Sequence, residues 1–174
     1  AGMDLAEISI LSSGKPNSPW MERALAEPDL IMGAWLKTHR PSKPLILAVE
    51  GHALAGGTEI LQGTDIRVAA EDALMRVPEV ELGIPLTWGA TSRLIHEIGA
   101  ARTREILLLC EDITASTAHD WGMVHRVAAA EDLDNEVDAL VEKLLQKPEL
   151  AVYMTKTQLR AYARADALGD ASET

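Results

Sequence analysis

The stretch from Leu45 to Leu61, LILAVEGHALAGGTEIL, constrains the fold more than any other part of the chain. Its opening run, Leu45 to Val49, has the length and apolar character of a short buried strand. It leads through Gly51 to the pair Gly56-Gly57, then to Glu59 with Ile60 and Leu61 behind it. Glycines just ahead of a helix leave its first amides, which have no intrahelical acceptor, open to close approach. Such amides can stabilise a developing oxyanion, and tight strand–helix packing is the alternative reading. The spacing is not that of a Walker loop, because no Gly-Lys-Ser/Thr follows, and it is not G-x-G-x-x-G.

Two further short strands follow, Ile66 to Ala69 and Leu74 to Val77, the second bounded by Pro78. Strand, helix and strand with a glycine-rich first turn make an α/β organisation. Upstream, residues 12–19 are loop by composition, and Trp20 to His39 carries a helical pattern interrupted at Pro28. Downstream, helices are predicted over Thr91–Ile98, Arg102–Cys110 and Ser116–Trp121, with Gly99 and Gly122 as C-terminal stops. Val124–Val127 reads as one more strand. A helix from Glu131 that ends before Pro148 and another over Glu149–Arg164 follow, with a polar tail behind them. No repeat of solenoid length is present.

The formal net charge is −11, with no cluster of Lys or Arg and few aromatic side chains. A nucleic-acid binder needs a basic face and a single-strand binder needs stacking platforms, so both classes are excluded. An anionic small molecule stays compatible, because backbone amides and one or two cations hold phosphate locally. No apolar run is long enough to span a bilayer, and the single cysteine, Cys110, fits a packed thiol in a reducing, cytoplasmic setting.

Glu59 follows the glycine pair and Glu79 follows Pro78 after the third strand. Two carboxylates at the ends of neighbouring strands can converge and divide acid and base work, or be unrelated surface residues. An acid in a first helical turn is also favoured by the helix dipole alone. His52 and Trp88 are candidates for lining a pocket, with turn packing and core packing as the alternatives. The histidines show no H-E-x-x-H spacing and Cys110 has no cysteine partner, so no metal site is expected. No G-x-S-x-G elbow supports a hydrolase triad.

AGMDL at 1–5, KPLILAVEGHALAGGTEI at 43–60, TDIRVAA at 64–70 and VPEVELGIP at 77–85 together resemble the crotonase superfamily, specifically the enoyl-CoA hydratase/isomerase family. The later SRLIHEIGAARTREILLLCEDITASTAHDWGMVHRV is similar to the family in order and spacing. The resemblance implies a crotonase-like ββα spiral core with the CoA and acyl site over residues 1–112. A C-terminal helical trimerisation region over 113–174 would follow. It implies an oxyanion hole from the amides of Gly56 and Met3, water activation by Glu59 and α-carbon protonation by Glu79. The implied reaction is hydration of a 2-enoyl-CoA, with coenzyme A present as part of the substrate and no bound cofactor. A homotrimer or dimer of trimers is implied as well.

The alternatives are double-bond isomerisation, another enolate reaction, or a non-catalytic acyl-CoA-binding or truncated homologue. Three features depart from the family pattern. Ala6 stands where many members carry a lysine that helps hold the CoA phosphates, and IPLTWGAT follows Gly83 where a glycine-richer run is common, so that Thr87 and Trp88, with His52, are expected to shape the acyl pocket that the resemblance implies. The N-terminal strands of the family do not precede AGMDL, which is expected to leave an exposed sheet edge and a poorly stable chain.

Overall fold

A computed structural model describes residues 18–27, 41–86 and 89–167. Helix α1 is Pro19–Ala26, the described part of the pattern predicted from Trp20 to His39. The core begins with β1, Ile46–Val49, then β2, Ala53–Leu54, then helix α2, Gly56–Leu61. A second pass has the same order: β3, Ile66–Ala70, β4, Leu74–Arg76, and, after a turn carrying Glu79, helix α3, Ala90–Ile98. Helix α4 is Ala100–Leu109, β5 is Ile113–Thr114, α5 is Ala115–Trp121 and β6 is Arg126–Ala128. A single 3-10 turn, Ala130–Asp132, precedes α6, Leu133–Leu145, and α7, Glu149–Ala167.

The strands divide between two sheets of order β1-β3-β6 and β2-β4-β5. The first strand of each pass joins one sheet and the second strand joins the other, so the chain winds as a ββα spiral. β1, β3 and β6 are parallel, with Ile46 opposite Ile66 and Val68 opposite Arg126. In the second sheet β2 and β4 are parallel and β4 and β5 antiparallel. Asp65 pins the register of the first pair. Its Oδ2 accepts from Leu45 N at 2.6 Å, and its own amide donates to Leu45 O.

β3 is the middle strand, and Arg67 through Ala70 are all buried, as a strand covered on both faces requires. Val68, Ala69, Met75, Leu61, Leu94, Met123 and Val124 form the centre of one apolar cluster, with Leu133 and Leu140 of α6 packed into it. The buried charge in this core, Arg67, is matched by a bidentate pair to Glu97 of α3, at 3.0 and 2.8 Å. His125 Nδ1 accepts from Arg67 N at 3.0 Å, and His125 N donates to Arg67 O. Burial and the Arg67 charge hold the His125 imidazole below its usual range.

The predicted core strands and helices occur close to their expected positions, with three differences. β2 and β5 were not foreseen, because two-residue strands have no periodicity to read. The last strand lies at Arg126–Ala128 rather than Val124–Val127; Val124 instead is buried after the Gly122 stop. Pro28 and the rest of the pattern to His39 lie outside the described residues. Among the described residues no helix is long and apolar enough to cross a membrane.

Candidate active site

The site grows from the parallel pairing of β2 with β4, which sets Leu54 beside Arg76. Parallel neighbours end on the same side, so the turns that follow them emerge together. The first turn begins α2 and carries Glu59; the second, Val77-Pro78, carries Glu79. Both carboxylates are buried, each with 7% relative exposure.

The first turn is tied to the two strands through Ala55 and Thr58. Ala55 N donates to Arg76 O at 2.9 Å, and the buried hydroxyl of Thr58 lies 2.6 Å from Ala53 O and 2.9 Å from Arg76 O. Ala55 has φ 49° and ψ −120°, a conformation that costs a residue with a Cβ about 1–3 kcal/mol and persists only where neighbours over-determine it. Its carbonyl accepts from both Thr58 N and Glu59 N. The amides of Gly56 and Gly57 precede those bonds, where a helix has donors without intrahelical acceptors.

A Cβ built on Gly56 meets no heavy atom of the described residues within 4 Å, and its φ is not left-handed. Neither close packing nor backbone sign therefore asks for glycine there.

The second turn is closed by Leu82 N on Glu79 O at 3.0 Å and Ile84 N on Glu79 O at 3.0 Å. Gly83, at φ +75°, supplies the left-handed residue that lets the chain reverse. Outside this turn, Arg76 Nη2 sits 2.7 Å from both carboxylate oxygens of Glu81.

Burial pushes the Glu59 carboxyl up to about 7; the nearby Glu79 charge adds to the rise and Arg93 opposes it. Burial also raises Glu79, while its own backbone amide works the other way. Among the described residues, Glu59 Oε2 and Glu79 Oε2 are each buried without a hydrogen-bond partner. A buried polar atom left in this state costs about 1–3 kcal/mol, more when charged. Two orphaned oxygens, on acids with raised proton affinity, make a site able both to accept and to donate a proton.

Of the other residues singled out from sequence, His52 is exposed ahead of β2. Met3, Thr87 and Trp88 lie outside the described residues. Among the described residues no group of His, Cys, Asp or Glu is arranged to hold a metal. Sequence reasoning did not single out Gln62 and Arg93. Gln62 caps the C-terminal end of α2 and is buried, and its Oε1 accepts from Arg93 Nε of α3 at 3.2 Å. A polar side chain directly after Ile60 and Leu61 was the only hint available in the sequence.

The family model for enoyl-CoA hydratase/isomerase matches residues 11–174. A crotonyl-CoA hydratase of Syntrophomonas wolfei is 39% identical over 114 residues, 66% of this chain and 44% of that protein. A peroxisomal Delta(3,5)-Delta(2,4)-dienoyl-CoA isomerase of Arabidopsis thaliana is 31% identical over 164 residues, 91% of this chain and 59% of that protein. Among solved structures, an enoyl-CoA hydratase subunit from Geobacillus kaustophilus superposes with a TM-score of 0.76 at 31% identity. That match covers 93% of this chain and 59% of the other. The chain thus spans about half the length of the curated relatives it matches.

Proposed function

Since the chain belongs to the enoyl-CoA hydratase/isomerase family, we propose that it serves in hydration of a 2-enoyl-CoA thioester, with Glu59 and Glu79 as the acid–base pair. The observation that carries this reading is the pair of buried carboxylates on turns following neighbouring parallel strands, both with raised proton affinity. A group titrating at about 7 is suited to proton transfer near neutral pH.

In the proposed reaction, ionised Glu59 takes a proton from water as its oxygen bonds to the β-carbon. The electron pair of the double bond moves toward the thioester carbonyl, whose oxygen gains negative charge. The amides of Gly56 and Met3 stabilise that oxygen, and a donor of this kind is worth about 10²–10³ in rate. Protonated Glu79 then delivers its proton to the α-carbon. One water is added, and a proton passing from Glu59 to Glu79 restores the pair, which titrates as a coupled unit. Coenzyme A is part of the substrate, and the chemistry requires no further cofactor. His52, Thr87 and Trp88 are proposed to line the acyl end.

The organisation that goes with this reading is a core with the CoA and acyl site over 1–112 and a trimerising helical region over 113–174. Leu145, Leu150, Met154 and Leu159 of α6 and α7 are exposed and give that region apolar surface to bury. A trimer or dimer of trimers by light scattering is the expected outcome. The setting proposed is the cytoplasm.

The test follows loss of the conjugated enoyl-thioester absorbance on adding protein to crotonyl-CoA. Glu59→Gln and Glu79→Gln are each expected to lower kcat by about 10²–10⁴ with little change in KM. Full hydration by both variants would overturn the assignment. A second reading, double-bond isomerisation, is favoured by the dienoyl-CoA isomerase relative that covers 91% of the chain. α-Proton exchange and bond migration without net water addition would select it.

A further inference from the structure

We propose that Gln62 and Arg93 form a positioning pair that sets the charge state of Glu59, Gln62 steering the guanidinium so that its charge bears on the carboxylate. The proposal rests on the reading of Glu59 as the base and names a determinant of its behaviour that no motif carries. Glu59 of α2 and Gln62, the helical residue that caps its C-terminal end, stand at i and i+3, so their side chains share a face. Arg93 comes from α3, 31 residues away from Gln62, and donates its Nε–H to Gln62 Oε1 at 3.2 Å. That bond fixes the amide orientation, because the reverse would set N–H against N–H. Gln62 Nε2 is consequently buried without a partner among the described residues. A leucine would fill such a place on an apolar helix face without that cost. The polar side chain is explained by its hold on Arg93.

Among the described residues the charges around Glu59 can be named element by element. α2 carries no other ionisable side chain, and β2 carries none. β4 contributes Arg76, whose side chain is engaged with Glu81 and Asp112. The following turn contributes Glu79, which opposes ionisation of Glu59, and α3 contributes Arg93, which favours it. His52 lies exposed before β2. Arg93 is therefore the cation set against burial and a like charge. Gln62 gives it an anchor that is neutral and cannot itself cancel the guanidinium charge.

The experiment compares wild type with Arg93→Met, Arg93→Lys and Gln62→Leu. Glu59 is titrated by carbon NMR with carboxyl-labelled glutamate, its resonance assigned by absence in Glu59→Gln. The pH profile of crotonyl-CoA hydration is measured in parallel. Arg93→Met is expected to move the Glu59 midpoint upward by about one unit, as loss of a nearby opposite charge does. kcat then falls about tenfold below the midpoint and little well above it, with KM nearly unchanged. Arg93→Lys restores most of the shift, and Gln62→Leu gives a smaller displacement in the same direction. A Glu59 midpoint identical to wild type in both Gln62→Leu and Arg93→Met overturns the proposal. If the wild-type protein does not hydrate crotonyl-CoA, the functional reading fails while the NMR titration still decides the role of the pair.

Discussion

Glu59 is held at odds with its own solvation. Burial and Glu79 raise its carboxyl to about 7, far above the ordinary 4.5, and this couples the acid to folding. Between those two values the folded protein binds more protons than the unfolded chain, so the contribution of this residue to stability falls as pH rises through the window. Above about 7 the full penalty applies, and below 4.5 it vanishes. Glu79 is raised for the same first reason and acts with the same sign. Glu59→Gln is therefore expected to melt above wild type at about pH 8 and to match it at about pH 4, a difference that calorimetry at the two pH values measures. A variant less stable than wild type at the higher pH would mean that the carboxylate is well solvated in the fold. The same substitution is expected to stabilise the protein and abolish its activity, the trade expected where a site is built from groups that folding alone would not choose.

At the scale of elements, the turn from β2 into α2 matters most. It is short, it contains a strained Ala55, and its geometry is maintained by Thr58. The hydroxyl of Thr58 reaches the carbonyls of both parallel strands and so fastens the turn bearing Glu59 to the strand that leads to Glu79. Thr58→Val keeps the shape and removes both bonds. Arg76 O retains Ala55 N as a donor, and Ala53 O stays in the ladder with β4, so neither carbonyl is orphaned. The expected loss is about 0.5–1.5 kcal/mol in urea denaturation, the net worth of a hydrogen bond. A drop in kcat should accompany it, because a small displacement of either turn misaligns the pair. An unchanged urea midpoint would show that the turn holds its geometry without the hydroxyl.

On the scale of the whole molecule, the C-terminal helix is joined to the core through a buried cation. Lys156 of α7 is buried, and its Nζ lies 2.6 Å from Asp65 Oδ2, the same oxygen that receives Leu45 N. Arg160, one turn further on, donates to Pro41 O. One carboxylate thus fixes the register of β1 on β3 and docks α7. Lys156→Met removes that pairing, and because Asp65 is partly exposed and keeps Leu45 N the expected cost is about 1 kcal/mol. Hydrogen exchange should show Glu149–Ala167 losing protection before β3 does, because α7 carries few buried apolar side chains while β3 lies at the centre. Uniform loss of protection would mean that α7 and the core unfold as one unit.

Local chemistry made several of these features legible in advance. An apolar run of strand length, glycines before a helix and glycine stops at Gly99 and Gly122 act within a few residues, so Ile46–Val49, Gly56–Leu61, Ala90–Ile98 and Ala115–Trp121 could be anticipated. The order of the motifs pointed to the family, which the match over 11–174 establishes. Tertiary structure alone decided which strands are neighbours. β2 and β4 are too short to have a period, and their pairing is what puts the turns of Glu59 and Glu79 side by side. It also decided the partners of Gln62, Arg67 and Lys156, which lie 31, 30 and 91 residues away along the chain. Propensity and periodicity describe how a residue relates to its near neighbours in sequence. The proton affinity of a buried acid depends instead on which distant charges folding brings to it.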